Sequence, residues 1–225
     1  DVIITIGGDG TLIKHAKAAA KFGKPCLGVN TGNLGFLANV DKDAVDLLKK
    51  LKDNEYKIEQ RMMLEVSVTK CGEILYNDIA LKDAVVSSGS VARIADIGLS
   101  ISGDEINYRA DGVILSTPTG STAYSLSVGG PIIVPQSDTI SLTPVAPHSL
   151  NVRPIVLCDN SEIEICVESR SHNFLVSIDG RSCSYPDRIN LRIKRAPYVV
   201  KVVTRKGQGF FSTLRRKMMW GADKR

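Results

Sequence analysis

Two stretches of the chain carry side chains whose types and spacing can do chemistry. The first is Gly7-Gly8-Asp9-Gly10-Thr11, a single carboxylate on a loop where three glycines let another backbone come close. An apolar run, Asp1 to Ile6, leads into it and a helical pattern leaves it. N–H donors at the start of that helix are left exposed, and a phosphate group fits against them. The second stretch runs from Asp111 to Pro131, reading DGVILSTPTGSTAYSLSVGGP. Val113, Ile114 and Leu115 read as a strand, Pro118-Thr119-Gly120 as a turn, and the residues beyond as a short helix stopped by Gly129-Gly130-Pro131. Gly120 permits a tight turn, Ser121 or Thr122 can cap the helix, and its first N–H groups are free to meet an anionic or hydroxyl-rich ligand. Tyr124 adds a flat surface beside those donors.

The elements that must position these residues change character along the chain. The run from Asp1 to Ile6 reads as a buried strand, and Leu12, Ile13, Ala16, Ala19 and Ala20 then recur at helical spacing opposite Lys14, His15, Lys17 and Lys21. Cys26 to Val29 reads as a second strand, Thr31–Phe36 as a loop and Asp43 to Leu51 as a second helix. Strand, glycine loop and helix in that order predict a parallel α/β arrangement with ligands at the carboxyl ends of its strands. From Met62 onward the period is two, as in Leu64, Val66 and Val68, or Ile97, Leu99 and Ile101, or Ile163, Ile165 and Val167. The same alternation returns at Ile189, Leu191 and Ile193 and at Tyr198, Val200 and Val202, and it predicts antiparallel sheets with one wet face. After Thr204 the pattern is helical again, with Phe211, Leu214 and Met218 on one side.

Composition bounds the rest. At 225 residues the chain can bury a full core, and 43% hydrophobic with 24% charged residues is ordinary for a globular protein. No apolar run approaches the length of a membrane span. Residue 1 is Asp inside a strand-like run, so further chain is expected ahead of it. Five cysteines without a CxxC pair and three scattered histidines predict buried or idle thiols in a reducing cytoplasm, and no zinc site. Of the net charge of +5, residues 205–225 hold seven basic side chains against Asp223, which leaves the remainder close to neutral. A general nucleic-acid surface is therefore not expected, and the tail reads as a solvated helix face, with service to phosphates as the alternative.

The two motifs, together with Thr31-Gly32-Asn33-Leu34-Gly35-Phe36-Leu37, resemble the NAD kinase family, which phosphorylates NAD to NADP, and the likeness runs over nearly the whole chain. It implies an N-terminal Rossmann-like α/β domain followed by a C-terminal antiparallel β-rich, sandwich-like domain, with residues 1–60 and 61–204 as the two parts and helix 205–225 packed back on the first. A strand and helix ahead of residue 1 would complete the first domain, and the site would lie in the cleft between the two. By the same resemblance Asp9 accepts the proton of the adenosine ribose 2′-hydroxyl as it attacks the γ-phosphate of ATP. A free carboxylate, titrating near about 4, is a weak base for an alcohol, so much of its effect is orientation of the nucleophile. Mg²⁺ would arrive with the triphosphate rather than in a protein cage.

Carried over by position, Gly8, Gly10, Thr11 and Phe36 line the site, and Arg109 and Asp111 match an Arg/Asp pair ahead of the long motif. Thr122, Ala123, Tyr124, Ser125, Leu126 and Ser127 match the segment that holds NAD, and Ala146 opens another family segment that includes His148, read as structural. Two positions depart from the pattern. Lys82-Asp83 stand where the family has Asn and an acidic residue that bind NAD hydroxyls, and Asp179-Gly180-Arg181 where it has Asp-Gly-Gln. Asp83 can keep its role, whereas Lys82 has no acceptor and an alternative role at a phosphate. Arg93 fits a basic contact of the family or a surface strand charge. Family members are homodimers or homotetramers, so a cytoplasmic homo-oligomer is implied, with NAD and ATP or polyphosphate as partners and neither nucleic acid nor membrane. A lipid or sugar kinase sharing only the GGDG loop is the rival enzyme, opposed by residues 111–131. A dinucleotide-binding protein without catalysis is the rival of another class, opposed by the presence of Asp9.

Overall fold

Four apolar residues in the first six make strand β1 (Ile3–Ile6), which ends at Gly7, whose φ of +150° leaves the strand conformation. In the computed structural model, which describes all residues except 32–34, 39, 42–44, 54, 89–93, 170–171, 188, 208 and 220–225, helix α1 (Asp9–Ala20) follows at once, with Gly8 as its N-cap. Strand β2 (Cys26–Asn30), the short β3 (Val40–Asp41), helix α2 (Val45–Lys52) and strand β4 (Tyr56–Arg61) complete the front of the chain. Leu12, Ile13, Ala16, Ala19 and Ala20 are buried, as their spacing predicts, and Lys17 is buried with them rather than exposed. β1 departs from expectation: Ile3, Ile4 and Ile6 are 38%, 45% and 70% exposed. The cause is its place at the sheet edge, where among the described residues it pairs with β2 alone.

Past Met62, strands β5 (Leu64–Lys70), β6 (Glu73–Ala80), β7 (Asp83–Ser88), β8 (Ala95–Ile101), β9 (Asp104–Ala110) and β10 (Gly112–Ser116) follow one another. A 3-10 turn at Gly120–Thr122 leads into the single-turn helix α3 (Tyr124–Ser127). Strands β11 (Thr139–Val145), β12 (Ile155–Cys158), β13 (Ile163–Ser169), β14 (Asn173–Ile178), β15 (Arg181–Pro186) and β16 (Asn190–Arg195) come next. They form two six-stranded antiparallel sheets, ordered β12-β11-β10-β7-β14-β15 and β6-β5-β16-β13-β8-β9. The inward residues of both sheets, among them Leu64, Val66, Ile97, Ile165, Leu191, Val113, Leu115, Leu142, Phe174 and Val176, make one core cluster. Each such side chain contributes roughly 1.5–3 kcal/mol on burial, so this cluster is the main stabiliser of the β-rich part. β10 is buried throughout, and α3 packs on it.

Strand β17 (Val200–Arg205) and helix α4 (Phe210–Met218) end the described chain. The alternation at Tyr198, Val200 and Val202 groups this strand with the β-rich segment, yet it joins the first sheet, ordered β1-β2-β17-β4 with β3 beside β2. It runs antiparallel to β4 over Val200–Arg205 and parallel to β2 at Val202 opposite Cys26. The alternation was a true strand signal, but a period of two does not say which sheet receives the strand. Two compact units result, one of Asp1–Arg61, Val134–Gln136 and Tyr198–Arg225, the other of Met62–Ile133 and Ser137–Pro197. Among the described residues no helix is long and apolar enough to cross a membrane. Cys26 is buried, whereas Cys71, Cys158, Cys166 and Cys183 are exposed, and all five are free thiols.

Candidate functional site

In the first unit the candidate group is Asp9, the first residue of α1. Its carboxylate accepts three consecutive backbone N–H groups from the loop after β2. Phe36 donates to Oδ2 at 2.9 Å, Ala38 to Oδ1 at 2.8 Å, and Leu37 to both oxygens at 3.2 and 3.3 Å. Such charge-assisted bonds hold the side chain in one orientation. An ionised carboxylate has about four lone-pair sites, so acceptor capacity is left over for a further donor. Gly35 allows this approach, because a Cβ there would stand 2.7 Å from Asp9 Oδ1. A Cβ on Gly8 or Gly10 would meet nothing within 4 Å, so the two glycines flank open space beside the carboxylate. Gly7 is different in kind: its φ is +150°, and a Cβ would come 2.6 Å from Thr11 Oγ1.

In the second unit a carboxylate does the same thing. Asp179 and Gly180, both with positive φ, make the two-residue hairpin turn between β14 and β15, where Ile178 pairs with Arg181. The Asp179 carboxylate accepts the N–H of Leu81 at 2.9 Å, of Lys82 at 2.7 Å and of Asp83 at 3.4 Å. From the other side, Thr117 donates its hydroxyl to Leu81 O at 2.7 Å and its N–H to Lys82 O at 2.8 Å. Gly120 closes over this knot, since a Cβ there would stand 2.1 Å from Lys82 O. The backbone of residues 81–83 is therefore held by both the hairpin and the long motif. Asp83 is 4% exposed, and burial, opposed by Lys82 and reinforced by the Asp179 charge, raises its carboxyl to about 6.

The long motif is built differently from its sequence reading. Neither Ser121 nor Thr122 caps the helix; the N-cap of α3 is Ala123, with no side-chain bond. Ser121 Oγ instead donates to Pro118 O at 2.8 Å and accepts from Ile133 N–H at 3.0 Å, which closes the loop on itself. Ser125 is fully buried, and its hydroxyl pairs with Thr143 Oγ1 at 3.0 Å, facing inward. Tyr124, at 46% exposure, and Ser127 present themselves to solvent, with Thr122, Ala123 and Leu126 half-buried. Thr119 Oγ1 is a buried hydroxyl with no hydrogen-bond partner among the described residues.

Arg109 pairs with Asp96 at 3.0 Å on the exposed surface, and its carbonyl accepts the N–H of His148 at 2.8 Å. Asp111 is tied by its backbone, accepting from Ser88 and donating to Val145. Ala146 takes a positive φ of 45° just past β11. Arg181 pairs with Asp78 of β6 at 2.9 Å. Arg93 lies outside the described residues. Gly35 and Thr117 fall inside the quoted motifs without being singled out there, and Ala38 lies just past the first of them. Ala38 acts through its backbone N–H, which no side-chain type announces.

Residues 1–56 match the ATP-NAD kinase N-terminal domain, and residues 81–204 match the ATP-NAD kinase C-terminal domain. The NAD kinase of Bacteroides fragilis is 50% identical over 227 residues, covering 100% of this chain and 78% of that protein. The NAD kinase of Flavobacterium psychrophilum is 39% identical over 228 residues, with the same coverage of 100% and 78%. Among solved structures, yeast NADH kinase complexed with NADH matches with a TM-score of 0.92 at 26% identity, over 100% of this chain and 68% of that one. An NAD kinase from Archaeoglobus fulgidus in complex with ATP matches with a TM-score of 0.78 at 28% identity, over 97% and 83% of the two chains.

Proposed function

This chain belongs to the NAD kinase family, and from that premise we propose that it transfers the γ-phosphate of ATP to the 2′-hydroxyl of the adenosine ribose of NAD. The observation that supports this reading best is the Asp9 carboxylate, held by the N–H groups of Phe36, Leu37 and Ala38 beside two glycines that open on free space. In the reaction the 2′-oxygen forms a bond to the γ-phosphorus, the bond from that phosphorus to the bridging oxygen breaks, and ADP leaves. The hydroxyl proton passes to Asp9. Because three N–H groups already steady its charge, Asp9 acts chiefly by aiming the hydroxyl in line with the phosphorus, with proton transfer accompanying attack. Gly8, Gly10, Thr11 and Phe36 border that reaction on the same unit.

NAD is held, in this reading, by residues of the second unit. Tyr124 stacks on a base, and Thr122, Ala123, Leu126 and Ser127 supply contacts from the short helix and the turn before it, with Arg109, Asp111 and Ala146 nearby in sequence to the strands that carry it. Ser125 acts through packing, with its hydroxyl on Thr143. Asp83 accepts ribose hydroxyls when ionised, Asp179 holds its backbone, and Lys82 contributes positive charge toward the phosphates, with Arg181 on Asp78. Among the described residues no group of three or more His, Cys, Asp or Glu could hold a metal ion. In this reading Mg²⁺ would enter as part of the nucleotide and would neutralise the triphosphate when bound. Family likeness also leads us to propose a cytoplasmic homodimer or homotetramer.

The test is formation of NADP from NAD, ATP and Mg²⁺ by the purified chain, with Asp9→Asn beside it. The reading predicts NADP from the first and a loss of at least about 100-fold in the second, the usual span for a positioned proton acceptor. A chain that binds NAD and makes no NADP under any donor would overturn it.

A further inference from the structure

Arg205, Lys206, Gly207, Ser212, Thr213 and Arg216 line a cleft of about 390 Å³, with three cations, two hydroxyl side chains and no carboxylate among them. We propose that this cleft binds a phosphate chain, the chemistry shared by the triphosphate of ATP and by inorganic polyphosphate. The proposal rests on the kinase reading for its biological sense, though not for its binding chemistry.

Three observations carry it. The first is charge: the excess of the whole chain resides in residues 205–225, and three of those seven basic side chains converge on one cleft. A single phosphate does not need three cations, whereas a chain of phosphates presents several negative oxygens in a row. The guanidinium fork matches phosphate oxygens in pairs, whereas the Ser212 and Thr213 hydroxyls already donate to Gly209 O at 2.7 and 3.3 Å, so the three cations carry the recognition. Arg205 and Arg216 already make interactions within the protein, and the five donors of each guanidinium leave capacity for an anion as well.

The second observation is position. Val202 stands opposite Cys26 on β2, and Ile3 of β1 stands opposite the same residue. Three residues further along these parallel strands come Arg205, Val29 and Ile6. Their carboxyl ends thus project to one edge of the first unit's sheet. On that edge lie the Asp9 loop, the loop that holds Asp9, and the Lys206-Gly207 turn. Ligands of α/β sheets collect at this edge. β17 is two strands from β1, or three where β3 enters beside β2, so the separation is roughly 10–14 Å at normal strand spacing. Several linked phosphates can bridge such a gap, and one cannot.

The third is the local backbone. Gly207 has a φ of +82°, which turns the chain sharply between the end of β17 and α4. The two walls of the cleft, one from the strand end and one from the helix, face each other because of that turn.

The experiment uses the full chain with Arg205→Glu and Arg216→Glu combined, and Arg215→Glu as a control on the same helix outside the lining. All three arginines are exposed, so unchanged thermal unfolding is expected and is checked first. Calorimetric titration with inorganic tripolyphosphate, in the absence of NAD, should show binding by the wild type and the control, weakened at least tenfold in the double variant. Steady-state kinetics then separate the two sources. A tenfold rise in KM for ATP with KM for NAD unchanged identifies the nucleotide's triphosphate. An unchanged KM for ATP together with weakened tripolyphosphate binding identifies an inorganic chain. Equal tripolyphosphate binding by wild type and double variant, or none by either, with KM for ATP unchanged, would overturn the proposal. Loss of the kinase reading looks different: no NADP from the wild type, with tripolyphosphate binding still dependent on the two arginines.

Discussion

Asp9 and Asp179 sit in different units and use the same device, a carboxylate accepting the N–H groups of three consecutive residues. What differs is the company. Asp9 begins a helix, and its flanking glycines leave space around the carboxylate itself. Asp179 lies in a hairpin turn at a φ of 49°, and its three donors belong to the segment that carries Lys82 and Asp83. The first knot presents the aspartate; the second presents the neighbours of its donors. On the proposed function the same bonding would serve chemistry in one place and positioning in the other, so a bonded carboxylate is read by what surrounds it.

That contrast can be broken from the stability side first. Gly120→Ala drives a Cβ into the Lys82 carbonyl at 2.1 Å, where only backbone can yield, and should destabilise the second unit by more than about 4 kcal/mol. Calorimetry should show its melting temperature lowered by roughly 10 °C, and an unchanged value would mean that residues 81–83 are not held as described. Asp179→Ala comes next, leaving three N–H groups without their acceptor at a loss of about 3 kcal/mol, measured by urea unfolding.

Asp83 gives a pH signature of smaller size. Its folded value of about 6 lies above the ordinary 3.8, so the folded state holds a proton that the unfolded chain releases. Stability therefore declines as pH rises from about 4 to 6, by up to about 3 kcal/mol, and is flat beyond. Asp83→Asn should remove that slope, and a slope that persists in the variant would locate it elsewhere. Binding of NAD runs the other way: a carboxylate that accepts hydroxyls must be ionised, so affinity should weaken below pH 6. The smallest effect is Gly35→Ala. Its Cβ would push Asp9 Oδ1 from 2.7 Å, costing about tenfold in kcat, or roughly 1.4 kcal/mol, with little change in melting temperature.

How much of each knot was legible follows from distance along the chain. Gly7-Gly8-Asp9-Gly10 and Asp179-Gly180 are local, and the backbone freedom of glycine and the two-residue hairpin rule read them from adjacent residues. Their donors lie 27–29 residues away for Asp9 and 96–98 for Asp179, and a backbone N–H belongs to every residue type except proline. No spacing rule could have named Ala38 or Leu81. Alternation placed the strands of the sandwich well, because each buries one face on the common core. It misassigned Val200–Arg205, since the pattern is equal for a strand in either sheet. Position in the motif predicts a capping hydroxyl at Ser121 and a ligand-facing one at Ser125; both turn inward, and only the packing on β10 and β11 decides that.

The most direct test compares Asp9→Asn with Asp179→Asn in one assay, taking kcat for NADP formation and the dissociation constant for NAD. If one knot presents itself and the other its neighbours, Asp9→Asn will lower kcat by at least about 100-fold with NAD affinity unchanged. Asp179→Asn will weaken NAD binding about tenfold and leave kcat within a factor of a few. The reverse pattern, or equal losses of both quantities in both variants, would contradict the distinction and with it the assignment of Asp9.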